Sequence, residues 1–323
     1  MRVLSRRTFV GGALALAGPV HAQPPLTRPV IGFVTERALP PPYLEALRRG
    51  LAERGWVDGR TVRIEMRSAD GDLERLPGIV AQFIGLGVSV LVTGIETPVI
   101  LAAKKATAKV PIVFVTGGDP VEFGIVPNRA KPGGNITGYG GGIGVIQQRL
   151  ALLREVRPRA RRVGVLLNHT NPIHPTILAA TTRVAGPLGI TLHEAGVFEP
   201  TELGEAFTRM QAARAEVLLV PGDAMFSRHR AQIIMLAARA RLPAVYGDRL
   251  FVDAGGLMSM SVDLIDLCGR AAGHVDRILR GAQPGDLPIE EDVMLELLVN
   301  VTTARALGVT IPASLRQRAV LVS

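Results

Sequence analysis

One order of short apolar runs occurs twice between Val30 and Tyr246, and this recurrence constrains the fold more than any single motif. VGVLLN at Val163 follows VIGFVT at Val30, VLLVP at Val217 follows VLVTG at Val90, and PAVYG at Pro243 follows PIVFV at Pro111, each about 130 residues later. Such runs, rich in Val, Ile and Leu without polar alternation, read as strands buried on both faces. In the first set they are expected at Val30–Thr35, Val62–Met66, Val88–Thr93 and Ile112–Val115. The stretches between them carry helical periodicity. Leu44, Leu47 and Leu51 share one face that stops at Gly55, and Leu73, Leu76, Val80 and Phe83 share another, which Pro77 is expected to weaken. A third helix is expected to open with Thr97 as N-cap and Pro98 at the first helical position, where a missing N–H costs nothing. Strands alternating with helices give an α/β fold, a parallel sheet flanked by helices, and the recurrence gives two such lobes rather than one long sheet.

KPGGNITGYGGGIG, residues 131–144, has the glycines and the asparagine that permit unusual backbone angles and is the expected hinge between lobes. After the second strand set come GGLMSMSV, a helix ending near Gly281, then VMLELLVN and a last short helix, so the chain is expected to cross back and return. The lobes are assigned as 28–137 plus about 259–285, and 138–258 plus about 286–323.

Residues 1–22 have the anatomy of a cleavable export signal: Arg2, Arg6 and Arg7, an apolar stretch from Phe9 to Val20, and small-residue cleavage chemistry ending at Ala22. SRRTFV at Ser5–Val10 resembles the twin-arginine motif read by the translocase for folded proteins. The single cysteine, Cys268, lies far from that site, so neither a lipid anchor nor an internal disulfide is expected, and its helical spacing with Leu264, Leu267, Ala271 and Ala272 makes it a small core residue. A soluble, periplasmic monomer follows as the expectation. The formal charge is +9, but arginines are scattered and no basic block with interleaved aromatics occurs, so nucleic-acid binding is not expected.

The usual enzyme signatures are missing: no G-x-S-x-G, H-E-x-x-H, paired C-x-x-C or phosphate-binding glycine loop occurs. No pair of histidines in the mature chain has metal-ligand spacing, and His169 and His174 in NHTNPIHP read as solvated loop residues. Neither cofactor nor metal is expected. What remains is a set of polar, glycine-containing loops that each follow a strand: TERALPPP, TGIETP, TGGDP, NHTNP, PGDAMF and YGDRLF. Ligands of doubly wound sheets bind beyond the carboxyl ends of the strands, so these loops would line one cleft between two facing lobes. The candidate ligand-binding residues are Thr35, Glu36, Thr93, Gly94, Thr97, Gly117 and Asp119 from the first lobe, and Asn168, Asn171, Asp223 and Tyr246 from the second. Threonine and asparagine offer hydrogen bonds, the aspartates can receive an amine, and the helix beginning at Thr97 can aim free N–H groups at an anion. Thr97, Asp119 and Asp223 equally suit helix capping or turn formation.

PPYLEALRRGLAERGWVDGRTVRIEMRSADGDLERLP, VPIVFVTGGDPVEFGIV, AKPGGNITG, RLPAVYGDRLFVDAGGLMSMSVDL and VNVTTARALGVTIPASL together resemble the ABC-transporter substrate-binding proteins whose relatives bind tryptophan or tyrosine. The resemblance implies a two-lobed periplasmic-binding-protein fold (type I) that closes on a small-molecule ligand, with an ABC permease and ATPase in the inner membrane as partners. TERALPPP stands where relatives carry a small serine- or glycine-rich loop, and GYGGGIGVIQQR is richer in glycine than their run, so the relatives' aromatic ligand is not carried over. An amino acid, aromatic acid or other carboxylate is the expected solute. A ligand-sensing protein acting with a membrane receptor is the alternative, and a cleft enzyme ranks behind it.

Overall fold

The computed structural model describes residues 28–141, 144–291 and 294–323, so the signal at 1–22 with its cleavage residue Ala22 lies outside the described residues. Two sheets organise the rest. The first contains β1 (Val30–Thr35), β2 (Arg63–Ser68), β3 (Val90–Thr93), β4 (Ile112–Thr116) and β5 (Ile136–Gly140), in the order β2-β1-β3-β4-β5 with all pairs parallel. The second is built from β6 (Arg162–Asn168), β7 (Thr191–Val197), β8 (Val217–Val220), β9 (Ala244–Tyr246), β10 (Met258–Val262), β11 (Leu295–Asn300) and β12 (Val320–Val322), in the order β12-β11-β10-β9-β8-β6-β7. Its run β7-β6-β8-β9-β10 repeats the order of the first sheet strand for strand, which is the physical content of the recurrence in sequence. Only the β10–β11 pairing is antiparallel, where the chain re-enters the sheet from the other lobe.

Each sheet is buried on both faces. β1, β3 and β4 bury nearly every residue, because helices cover the sheet above and below and leave no face for polar alternation. One face packs against helices Pro41–Ala52 and Leu264–Leu279 through Leu47, Leu51, Leu267, Cys268 and Val275. Cys268 is 1% exposed in this layer, and burial pushes its thiol up to about 12, as befits an inert core residue. Gly50 lets the two helices touch: a Cβ there would stand 2.3 Å from the Gly269 carbonyl oxygen. The other face packs on Leu76, Val80, Phe83 and Ile100. Pro77 does not weaken its helix, because a 3-10 turn at Leu73–Arg75 moves the α-helical start to Leu76 and places the proline in the first turn.

The chain crosses between the lobes three times, and the crossings sit later than the sequence suggests. β5 runs to Gly140 within the first sheet, so the first crossing is at about 141–144 and not at 137, and most of the glycine-rich 131–144 segment belongs to the approach to β5. Gly141 is needed there, since a Cβ would stand 2.7 Å from the Gly117 carbonyl oxygen. β10 hydrogen-bonds in the second sheet, so residues from 259 to 262 lie in the second lobe and the return crossing falls at Asp263. The third follows Glu290, which still pairs with β5 through Gly138 and Gly140. Asp263 N–H donates to the Met294 carbonyl at 2.8 Å and ties the last two crossings together. No helix of the described residues is long and apolar enough to cross a membrane.

Candidate ligand-binding cleft

The loops after β1, β3 and β4 face those after β6, β8 and β9 across a cavity of about 290 Å³. Glu36, Thr97, Gly117, Asp119, Asn171 and Asp223, all expected from the sequence, line it. Thr35, Thr93, Gly94, Asn168 and Tyr246 do not. Thr35 and Thr93 are fully buried at the ends of β1 and β3, because the loop from Gly94 to Glu96 folds over them; a Cβ on Gly94 would stand 2.9 Å from the Thr35 methyl. Asn168 turns inward, accepting from Thr170 N–H and Oγ1 and donating through Nδ2 to Asp223 Oδ2 at 3.1 Å. Tyr246 stacks on Phe251 with ring centroids 4.3 Å apart inside the second core.

The wall from the second lobe is a small polar network around Asp223, which is 8% exposed. Its Oδ1 accepts from Phe226 N–H and caps the helix Ala224–Arg228, while Oδ2 accepts from the side-chain amides of Asn168 and Asn171 at 3.1 and 2.9 Å. His174 is not the solvated loop residue its sequence suggests. It is 1% exposed, its Nδ1 accepts Asn168 N–H at 2.8 Å, and Nε2 therefore carries the proton, 3.4 Å from Asp223 Oδ2. Burial alone would push Asp223 up, but His174, Asn171 and the Phe226 N–H outweigh it and hold the carboxyl below its usual range.

On the first lobe, Asp119 spends both oxygens on structure: Oδ1 accepts from Val121 and Glu122 N–H, and Oδ2 meets Arg129. The helix Thr97–Ala106 begins one residue earlier than its Thr-Pro signal suggests. Glu96 occupies the cap position in extended conformation without a side-chain cap, and Ile95 before it adopts φ 49°, a left-handed angle that turns Glu96 into the cleft.

The candidate residues read from the sequence included none of Arg37, Glu96 and Arg149, all of which line the cavity. Arg37 reaches Glu96 Oε1 at 3.4 Å within its own lobe and Asp248 Oδ2 at 3.1 Å in the other, so one guanidinium joins the lobes. Arg183 of the second lobe meets Glu122 of the first at the rim. Arg149, on the helix Gly144–Val156, donates through Nε to the Met260 carbonyl at 2.8 Å and lines the cavity with no carboxylate partner among the described residues. Burial lowers its pKa to about 10. Its only sequence signal was its place in the run after the first crossing, since helical periodicity says nothing of what lies across a cleft.

The family described as ABC transporter substrate binding protein matches residues 30–322. The chain belongs to that family. A tyrosine-binding protein from Clostridioides difficile (strain R20291) is 27% identical to this family member over 271 residues, 82% of this chain and 77% of the relative. A solved structure from Vibrio cholerae, described as a conserved domain protein, is 27% identical with a TM-score of 0.82 over 92% of this chain and 100% of its own. A domain from Streptococcus pneumonia in complex with L-Trp has a TM-score of 0.83 at 24% identity, covering 92% of this chain and all of its own. The ligand-free, open form of a substrate-binding protein from Clostridium difficile gives 0.69 at 24% identity over 91% and 99%. The fold of this substrate-binding family member is that of the type I periplasmic binding proteins.

Proposed function

We propose that this protein is the exported, periplasmic solute-binding component of an ABC importer, holding one small organic molecule between its lobes and presenting it to the permease. The observation that carries this reading is the cavity itself, walled by strand-end loops of two lobes that the chain crosses three times to connect. Such an arrangement interconverts by hinge rotation, and a ligand that touches both lobes stabilises the closed form by its differential affinity for that form. Glu36, Thr97, Gly117 and Asp119 are the proposed contacts from the first lobe, with Asn171, Asp223 and Arg149 from the second. Amino acids, aromatic acids and other carboxylates suit the lone guanidinium of Arg149, and relatives that bind tyrosine or tryptophan make amino acids the first to try. The cleft performs no chemistry in this reading.

Native mass spectrometry of gently purified protein, followed by a thermal-shift panel of such solutes, tests binding, since a ligand raises apparent stability by mass action. A binder that stimulates the ATPase of the reconstituted transporter supports import. Binding without stimulation supports the sensing role, and no binder at all refutes the solute-binding reading.

A further inference from the structure

Five helices close with the same hydrogen-bonded turn, in which the second residue past the helix takes a left-handed backbone angle. After Leu76–Gly85, Leu264–Leu279 and Val301–Ala306 that residue is Gly87, Gly281 or Gly308. After Leu203–Ala212 and Arg230–Arg239 it is Arg214 at φ 52° and Arg241 at φ 51°. A side chain is strained in this conformation, so both arginines stand where glycine would serve the fold better. The helix dipole does not call for them there. Arg209 and Arg239 already place positive charge in the last turns of these two helices, as Arg277 does in the helix that ends at glycine.

The two arginines share one pole of the second lobe. Arg214 precedes β8 and Arg241 precedes β9, and β8 lies between β9 and β6 in the sheet. Arg162 Nε donates to the Arg214 carbonyl at 2.7 Å, which sets the turn before β6 alongside with its Arg157, Arg159 and Arg161. With Arg239 these make six exposed arginines at the amino-terminal ends of three adjacent strands, and none forms a side-chain hydrogen bond or ion pair with a described residue. The carboxylates of these turns, Glu155 and Glu216, are taken by Arg318 and Arg162. The pole lies about 20 Å from the cleft, the length of β6.

We propose that this arginine pole holds the protein on an anionic phospholipid surface. The charges sit on the tips of separate turns along one end of a sheet, which gives them a broad face suited to many headgroups rather than a pocket for one phosphate. The turns contain no aromatic residue to stack on bases, so a nucleic acid fits less well. Each arginine near such a surface strengthens partitioning roughly fivefold, and six together suffice without any inserted apolar segment. The cleft opens from the other end of the strands, so the protein keeps access to solute while it is held. The proposal stands whether or not the cleft serves an importer.

Flotation of the signal-cleaved protein with vesicles tests this. Binding is expected to vesicles of phosphatidylglycerol with phosphatidylethanolamine and not to phosphatidylcholine, and release is expected at about 0.5 M salt, where screening cuts the range of charge to a few ångströms. Replacing Arg214 and Arg241 together by glycine relieves two strained angles, so the melting temperature should hold or rise while partitioning falls roughly twentyfold or more. Replacing the exposed Lys105 and Lys109 of the first lobe by glutamine removes the same charge and should change partitioning by less than about twofold. Equal binding to both kinds of vesicle, or parent-like binding by the Arg214→Gly, Arg241→Gly protein, overturns the proposal. An equal loss in the lysine variant overturns it too, since net charge and not this pole would then be responsible.

Discussion

Replacing Asp223 by alanine removes one carboxylate and strands three donors. The N-cap of Ala224–Arg228 is lost, worth about 1 kcal/mol. The side-chain amides of Asn168 and Asn171, both less than 10% exposed, lose the oxygen they share, at about 1–3 kcal/mol each. The sum is about 3–7 kcal/mol, equivalent to roughly 10–20 °C in a melting temperature for a unit of this size. Asp223→Asn keeps one acceptor oxygen and the side-chain shape, so it is expected to cost about half as much. Urea unfolding followed by far-ultraviolet circular dichroism at neutral pH measures both variants against the parent. An Asp223→Ala variant destabilised by less than about 1 kcal/mol would refute the view that this carboxylate organises the second-lobe wall. Tighter ligand binding by that variant would argue the same way.

Three further perturbations separate other parts of the structure. Arg37→Met or Asp248→Asn cuts the ion pair between the lobes, and the loss of a partly buried pair worth about 1–2 kcal/mol should shift the ligand-free protein towards an open form with a larger radius of gyration by small-angle scattering. Unchanged scattering curves would show that the pair does not bias closure. Glu36 has a folded pKa of about 8 against an ordinary value of 4.5, so the folded state holds its proton more tightly, and stability present below 4.5 is lost as pH rises towards 8. Glu36→Gln should abolish this fall, gaining up to about 4 kcal/mol on the parent between about pH 5 and about pH 8 in urea titrations without ligand; parallel curves for the two proteins would contradict the assignment. Replacing both Arg6 and Arg7 by lysine should stop export by the twin-arginine route, and normal periplasmic levels on cell fractionation would exclude that route.

The strand skeleton was legible because fully buried parallel strands have no choice of composition. β1 was bounded correctly at Val30–Thr35, and the spacing of VIGFVT, VLVTG and PIVFV against VGVLLN, VLLVP and PAVYG anticipated the matching order of the two sheets. The crossings were less legible. Glycine permits a hinge but does not mark one, and β10 looks the same in sequence whichever sheet completes its hydrogen bonds. The binding residues divided in the same way. Loops that follow strands could be counted from sequence, and six of the eleven residues proposed from them line the cavity. Thr35 and Thr93 were misplaced because a neighbouring loop covers them, and Tyr246 because the aromatic ring has a partner in Phe251 that no local pattern announces.

The sequence by itself determined what depends on near neighbours along the chain: apolar runs that must be buried, periodic faces that must pack, an amino-terminal segment with the composition of an export signal, and six polar loops at strand ends. Tertiary structure decided what depends on charges meeting across space. Arg37 is an unremarkable basic residue until Asp248, more than two hundred positions later, arrives beside it. Glu36 and Arg149 acquire meaning only because folding brings both to the wall of one cavity, neither in an ion pair with a described residue. Electrostatic energy depends on distance and on the water excluded between groups, and neither quantity is written in the order of residues.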